Sequence, residues 1–133
     1  MEIFKDWDPK YNIGVEDIDL QHRYFFRLID RLTNELKEND NKNYLFRLLE
    51  ELKMYSKFHF LSEENTMGRL EFPDLPNHKA HHVDLLEKLN IQCGMFETGM
   101  AHSSAMISFL QEWFKEHTMR EDQKLRIFLE GSE

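Results

Sequence analysis

The sequence predicts an all-α fold, an up-down-up-down bundle of four helices, on three observations. Turn formers are scarce: five Gly and three Pro in 133 residues. Four stretches repeat apolar side chains at alternating three- and four-residue steps, the period of a helix with one buried face. The polar segments between them are short, which makes consecutive helices antiparallel neighbours. An extended N-terminal arm precedes the bundle and a short segment follows it. Residues 1–133 read as one domain, long enough to bury a core without staples.

Residues 1–16 hold Trp7, Pro9, Tyr11 and Gly14 without helical periodicity, so they read as the arm, with its aromatics packed on the bundle. The first helix begins after Glu16 or Asp17, acids suited to a helix N-terminus. Its inward face reads His22, Phe25, Ile29, Leu32 and Leu36, and the polar loop 39–43 closes it. The second helix, roughly 43–66, sets Leu45, Leu48, Leu52, Tyr55, His59 and Glu63 on one stripe, with Gly68 and Pro73 bounding its end. Pro76 suits the first turn of the third helix. That helix carries His78, His82, Leu85 and Leu89, with Leu86 alongside, and runs out near Gly94 to Gly99. Ser103 or Ser104 caps the fourth, whose face is Met106, Leu110, Trp113 and His117. Past His117 the pattern loosens. Asp122 opens a short final segment with Leu125, Phe128 and Leu129 on its apolar side.

The formal charge of −8 disfavours nucleic acid and anionic membrane as partners. No apolar run approaches the length of a membrane span, and the first ten residues lack a signal-peptide core. The single Cys93 rules out an internal disulfide and fits a reducing compartment, so a cytoplasmic location is expected.

The placement of the histidines carries the functional signal. Five of the seven, His22, His59, His78, His82 and His117, stand on the core stripe of their helix, and Glu63 joins them. A buried imidazole or carboxylate is costly unless paired, hydrogen-bonded or bound to a metal. One buried histidine alone is ordinarily a satisfied core residue, and a single pair four residues apart arises easily by chance. Here all four helices contribute, and at matching depth. His22 starts the first helix, His59 and Glu63 end the second, His78 and His82 start the third, and His117 ends the fourth. In an antiparallel bundle these places share one end. Five imidazoles with one or two carboxylates are too many for one tetrahedral zinc, but suit a pair of first-row metals, iron foremost. His81, about 100° round the helix from His82, and Glu64, next to Glu63, are expected to face solvent. His102 is placed in a loop, Met67 and Met106 in the core, and Cys93 away from the metal end.

The pattern of His22, then His59-xxx-Glu63, then Pro73-xxxx-His78-xxx-His82, then Trp113-xxx-His117-xxxx-Asp122 resembles the hemerythrin family in its single-domain bacterial form, the bacteriohemerythrins. The resemblance spans nearly the whole chain, including the Trp7 arm, the Glu63-Glu64 pair and the Phe72-Pro73 step. It implies a non-haem di-iron centre with an oxo or hydroxo bridge that takes dioxygen as its ligand. His78, His82 and His117 would hold one iron, His22 and His59 the other, and Glu63 and Asp122 would bridge them. Asp122 enters only through this resemblance. Phe60 and Trp113 would wall an oxygen pocket. Where the family usually has an aliphatic residue after the fourth-helix histidine, this chain has Thr118; the expectation is faster autoxidation and weak peroxidase-like side chemistry.

Reversible dioxygen binding for storage, delivery or transport is therefore the leading function. An oxygen or redox sensing module with an unidentified protein partner is the alternative, disfavoured by the lack of any output domain in these residues. A di-iron peroxidase or scavenger ranks below both, because no general acid or substrate pocket is readable. A histidine phosphotransfer bundle would need an exposed histidine, whereas these face inward.

Overall fold

The computed structural model describes residues 7–131, so the first six residues of the expected arm lie outside it. Four long helices, α1 (Glu16–Glu38), α2 (Lys42–Arg69), α3 (Leu75–Glu97) and α4 (Ser103–Phe114), are followed by a π-helical segment, Lys115–Glu121, and by α5 (Gln123–Gly131). There is no strand among the described residues. α1 packs on α2 and α4, and α3 packs on the same two, closing a four-helix bundle.

The arm adds a 3-10 turn, Pro9–Tyr11, capped by the Asp8 side chain. Trp7 Nε1–H donates to Asn12 Oδ1 (2.9 Å), and its ring lies about 6 Å from those of Phe26 and His22. Asp19, buried in the first turn of α1, ties the arm down by accepting from Ile13 N–H (2.7 Å) and Gly14 N–H (3.1 Å). Periodicity gave no sign of this carboxylate, whose cost of burial is offset by two backbone donors.

The helix faces follow the expected stripes with local corrections. On α2 Leu49 and Ser56 are fully buried alongside Leu52, His59 and Glu63, while Leu48 and Tyr55 are half-buried at the edge of the stripe. Gly68 lies inside the last turn of α2 rather than beyond its end. α4 starts at Ser103, with His102 as its N-cap and no side-chain cap bond, so neither serine caps it. Helix α2 stops with Phe72 N–H donating to Met67 C=O and Glu71 N–H to Gly68 C=O, which turns Glu71 into the left-handed region at φ 57°. That pair of bonds is a Schellman motif, a position where glycine ordinarily sits.

Two apolar clusters result. The larger runs along the bundle through Phe25, Ile29, Leu49, Phe60, Leu85, Leu89, Leu110 and Trp113. Cys93 belongs to it, and burial pushes its thiol up to about 11, so it is an inert filler. The smaller cluster, Ile13, Ile18, Met67, Phe72 and Leu125, closes the end where the arm, the α2–α3 turn and α5 meet. Between the two, each helix places its polar residues: His22 lies between Ile18 and Phe25, Glu63 between Phe60 and Met67, and His117 and Asp122 between Phe114 and Leu125.

Candidate metal centre

Seven side chains meet in this layer. His22, His59, Glu63, His78, His82, His117 and Asp122 are each no more than 3% exposed. Five come from the α1, α2 and α3 stripes, where residues four apart stand one turn above each other. His117 and Asp122 are five apart, which on an α-helix would set them about 140° apart. The π-helical segment removes that offset: Asp122 N–H donates to His117 C=O (2.9 Å), five residues back, and stacks Asp122 over His117. The extra residue in this turn is why the fourth stripe loses its 3.6-residue period after His117.

All five imidazoles turn Nε2 toward the two carboxylates. Glu63 Oε1 lies 2.8 Å from His78 Nε2, 2.9 Å from His82 Nε2 and 3.5 Å from His117 Nε2. Its other oxygen, Oε2, faces His22 (3.4 Å) and His59 (3.3 Å). Asp122 Oδ1 is 3.1 Å from His78, while Oδ2 is 2.7 Å from His22 and 3.0 Å from His117. The donor atoms thus fall into two overlapping groups, His22, His59, Glu63, His117, Asp122 and Glu63, His78, His82, His117, Asp122, each within 4.8 Å. Both carboxylates and His117 are shared.

His78 and His82 hydrogen-bond Glu63 Oε1 through Nε2, but the other contacts are close and poorly aligned as hydrogen bonds. The Nε2 atoms of His22, His59 and His117, Oε2 of Glu63 and both oxygens of Asp122 are buried without a hydrogen-bond partner. So many orphaned lone pairs at one point are costly, and their convergence is the arrangement a metal pair satisfies. The electrostatics of the protein side agree. Burial alone would push both carboxyls up, but the imidazoles around them, His117 foremost, hold Glu63 and Asp122 well below the carboxylate range. Burial opposes charging the imidazoles. Even so, Asp122 and Glu63 outweigh it and raise His22 and His117 to about 9 and His78 to about 10. At His59 burial wins and lowers it to about 4.

The walls are aromatic. Phe60 stacks on His82 (4.2 Å between ring centroids, 9° between planes) and meets His117 edge-on at 4.8 Å. Trp113 lies 6.3 Å from Phe60, its Nε1–H donating to Leu85 C=O. Thr118, in the π-helical segment, is fully buried with no hydrogen-bond partner for its hydroxyl.

Two expectations for neighbouring residues are corrected. Glu64 does not face solvent freely: at 21% side-chain exposure it accepts from His82 Nδ1–H at 2.7 Å. His81 is half-buried and lies over the His117 ring, with centroids 5.6 Å apart and planes 17° apart. Gln21, which carried no signal in its own right, accepts from His59 Nδ1–H at 2.8 Å. Both Gln21 and Glu64 are adjacent in sequence to a cluster residue, the only cue the chain offered for them.

Comparison with known proteins agrees on a single family. A family model described as the hemerythrin HHE cation binding domain matches residues 13–126. A bacteriohemerythrin of Clostridium acetobutylicum is 27% identical, covering 89% of this chain and 95% of its own. A myohemerythrin of Theromyzon tessulatum is 26% identical, covering 90% of this chain and 89% of its own. Among solved structures, a crystal structure of wild-type hemerythrin superposes with a TM-score of 0.78 at 23% identity, covering 92% of this chain and 93% of the other.

Proposed function

Because the chain belongs to the hemerythrin HHE cation-binding family, we propose that it binds dioxygen reversibly at a carboxylate-bridged pair of non-haem irons, for oxygen storage, delivery or transport. The observation that carries this reading is the division of Glu63, one oxygen toward His78, His82 and His117 and the other toward His22 and His59. One iron would be held by His78, His82 and His117 and the second by His22 and His59. Glu63 and Asp122 would bridge the two, and an oxo or hydroxo group would complete the link. When bound, the iron pair supplies the reversible electron exchange that oxygen binding requires.

The chain's own residues do the rest. The imidazoles present Nε2 lone pairs, and the two buried carboxylates offset the positive charge of the ions. Phe60 and Trp113 exclude water from the layer, which keeps competing proton delivery slow. Thr118 is the exception on that wall. Its unpartnered hydroxyl offers a hydrogen bond or holds a water, and it supports a faster loss of the oxygenated form with weak peroxidase-like side chemistry. Residues 1–133 act as one unit in this reading, in a reducing compartment that suits the lone Cys93. No helix among the described residues is long and apolar enough to cross a membrane.

Metal analysis combined with visible spectra of the reduced protein, before and after air, tests the proposal. Two irons per chain and an absorption band that appears with air and disappears on deoxygenation are expected. One iron per chain, another metal, or a single irreversible oxidation would overturn it.

A further inference from the structure

The five imidazoles all aim Nε2 at the carboxylates, so their tuning from outside depends on Nδ1. His22 Nδ1 and His117 Nδ1 are buried without a partner. Two rings are braced by side chains, one on each side of the layer. His82 Nδ1–H donates to the Glu64 carboxylate at 2.7 Å, and His59 Nδ1–H donates to the Gln21 amide oxygen at 2.8 Å. Each brace is immediately adjacent to a cluster residue on one helix and grips a histidine on the next: Gln21 precedes His22 on α1 and holds His59 of α2, while Glu64 follows Glu63 on α2 and holds His82 of α3. Gln21 is itself fixed, its Nε2–H donating to Ser62 Oγ at 2.9 Å.

The two braces are not equivalent. A carboxylate partner polarises the Nδ1–H bond and makes Nε2 a stronger electron donor, and a charge-assisted bond is roughly twice as strong as a neutral one. An amide oxygen fixes the ring's tautomer and rotation but adds little donor strength. We propose that Glu64 and Gln21 are positioning residues that give the two halves of the centre unequal donor strength, with the half containing His82 the stronger and the half containing His59 the weaker. Glu64 favours the higher oxidation state of the ion on its side. Gln21 leaves the ion with only two histidines electron-poor and more weakly held. This rests on the di-iron reading above and adds to it a residue-level origin for an inequality between the two sites.

The variants that separate charge from geometry are Glu64→Gln, which keeps an acceptor and removes the charge, and Gln21→Glu, which adds one. Each iron-loaded protein is titrated for its midpoint potential, and the release of ferrous iron to a colorimetric chelator is followed with time. Glu64→Gln is expected to raise the potential; a tenfold loss of ferric over ferrous affinity moves a one-electron couple by about 59 mV. It is also expected to speed release of the slower-leaving ion by about tenfold, toward the lower end of what loss of such a partner costs. Gln21→Glu is expected to lower the potential and slow the faster-leaving ion. Glu64→Ala, with helicity checked by circular dichroism, should go beyond Glu64→Gln in the same direction. If Glu64→Gln matches the unmodified protein in both potential and release while Glu64→Ala does not, the charge is irrelevant and the proposal is overturned. Equal acceleration of both ions by either variant would overturn it too. Failure of the unmodified protein to take up two irons would instead remove the di-iron reading itself.

Discussion

Thr118 is the side chain to which the proposed function assigns a faster loss of the oxygenated form. Its hydroxyl is buried in the π-helical segment with nothing to bond to, next to His117, and a buried unpaired hydroxyl costs about 1–3 kcal/mol. A bound water or ligand atom would relieve that cost. Thr118→Ile removes the hydroxyl and is expected to lengthen the life of the oxygenated protein several-fold, measured as the decay of its visible band in air; an unchanged or shorter life would assign the hydroxyl no role. The sequence shows Thr118 only as an exception to the family pattern, because nothing about one residue's identity reveals whether its hydroxyl finds a partner. The same holds for Glu64 and His81. Rotation by about 100° from a ligand reads as solvent-facing on a lone helix, but in a bundle the neighbouring helix covers part of that arc. Glu64 therefore reaches His82 of α3, and His81 reaches the His117 ring.

Helix periodicity carried the four long helices close to their true limits and put six of the seven cluster residues on inward faces. It failed where the period itself changes. In the π-helical segment one added residue rotates everything downstream, so Asp122 falls off the predicted stripe while standing in the centre of the layer. The α2 terminus is the other local departure. Glu71 adopts φ 57°, a region that costs a side chain with a Cβ about 1–2 kcal/mol. Glu71→Gly removes that cost and returns part of it as unfolded-chain entropy. A net gain of about 0.5–1 kcal/mol is expected, read from the denaturant midpoint of the metal-free protein at constant m-value.

At the level of the whole molecule, metal uptake and protonation are linked. In the metal-free protein His22 and His117 titrate at about 9 and His78 at about 10, so all three are charged at pH 7. Their folded values lie above the unfolded value of about 6.5. The stability they contribute is therefore complete below that pH and lost as pH rises through 9 to 10. Glu63 and Asp122 act oppositely: their depressed values stabilise the fold above the ordinary carboxylate range, and that stability is lost as pH falls below the range toward the depressed values. Because a metal needs neutral imidazole, loading at pH 7 should release one proton each from His22, His78 and His117, whereas near pH 10 the total should fall below one, most of it from His78. Proton release into a weakly buffered dye solution checks this. The metal-loaded protein should also keep its thermal stability between pH 7 and 10, where the metal-free form declines. The polar layer that makes this linkage also divides the interior, with the Phe60 side above it and the smaller Ile18–Met67–Leu125 cluster below. Without ions, a layer of imperfectly paired groups couples the two clusters weakly. The arm, the α2–α3 turn and α5 should then open together as one cooperative unit while the bundle persists. Amides around 13–18, 67–72 and 125–129 are expected to exchange hydrogen as a fast group in the metal-free protein and to merge with the slow core on loading. Uniform exchange in both forms would show that the lower cluster needs no help. If the fast group instead merges with the core on loading, the ions are rivets as well as reagents: they fasten shut the end of the molecule built from the arm, the α2–α3 turn and α5.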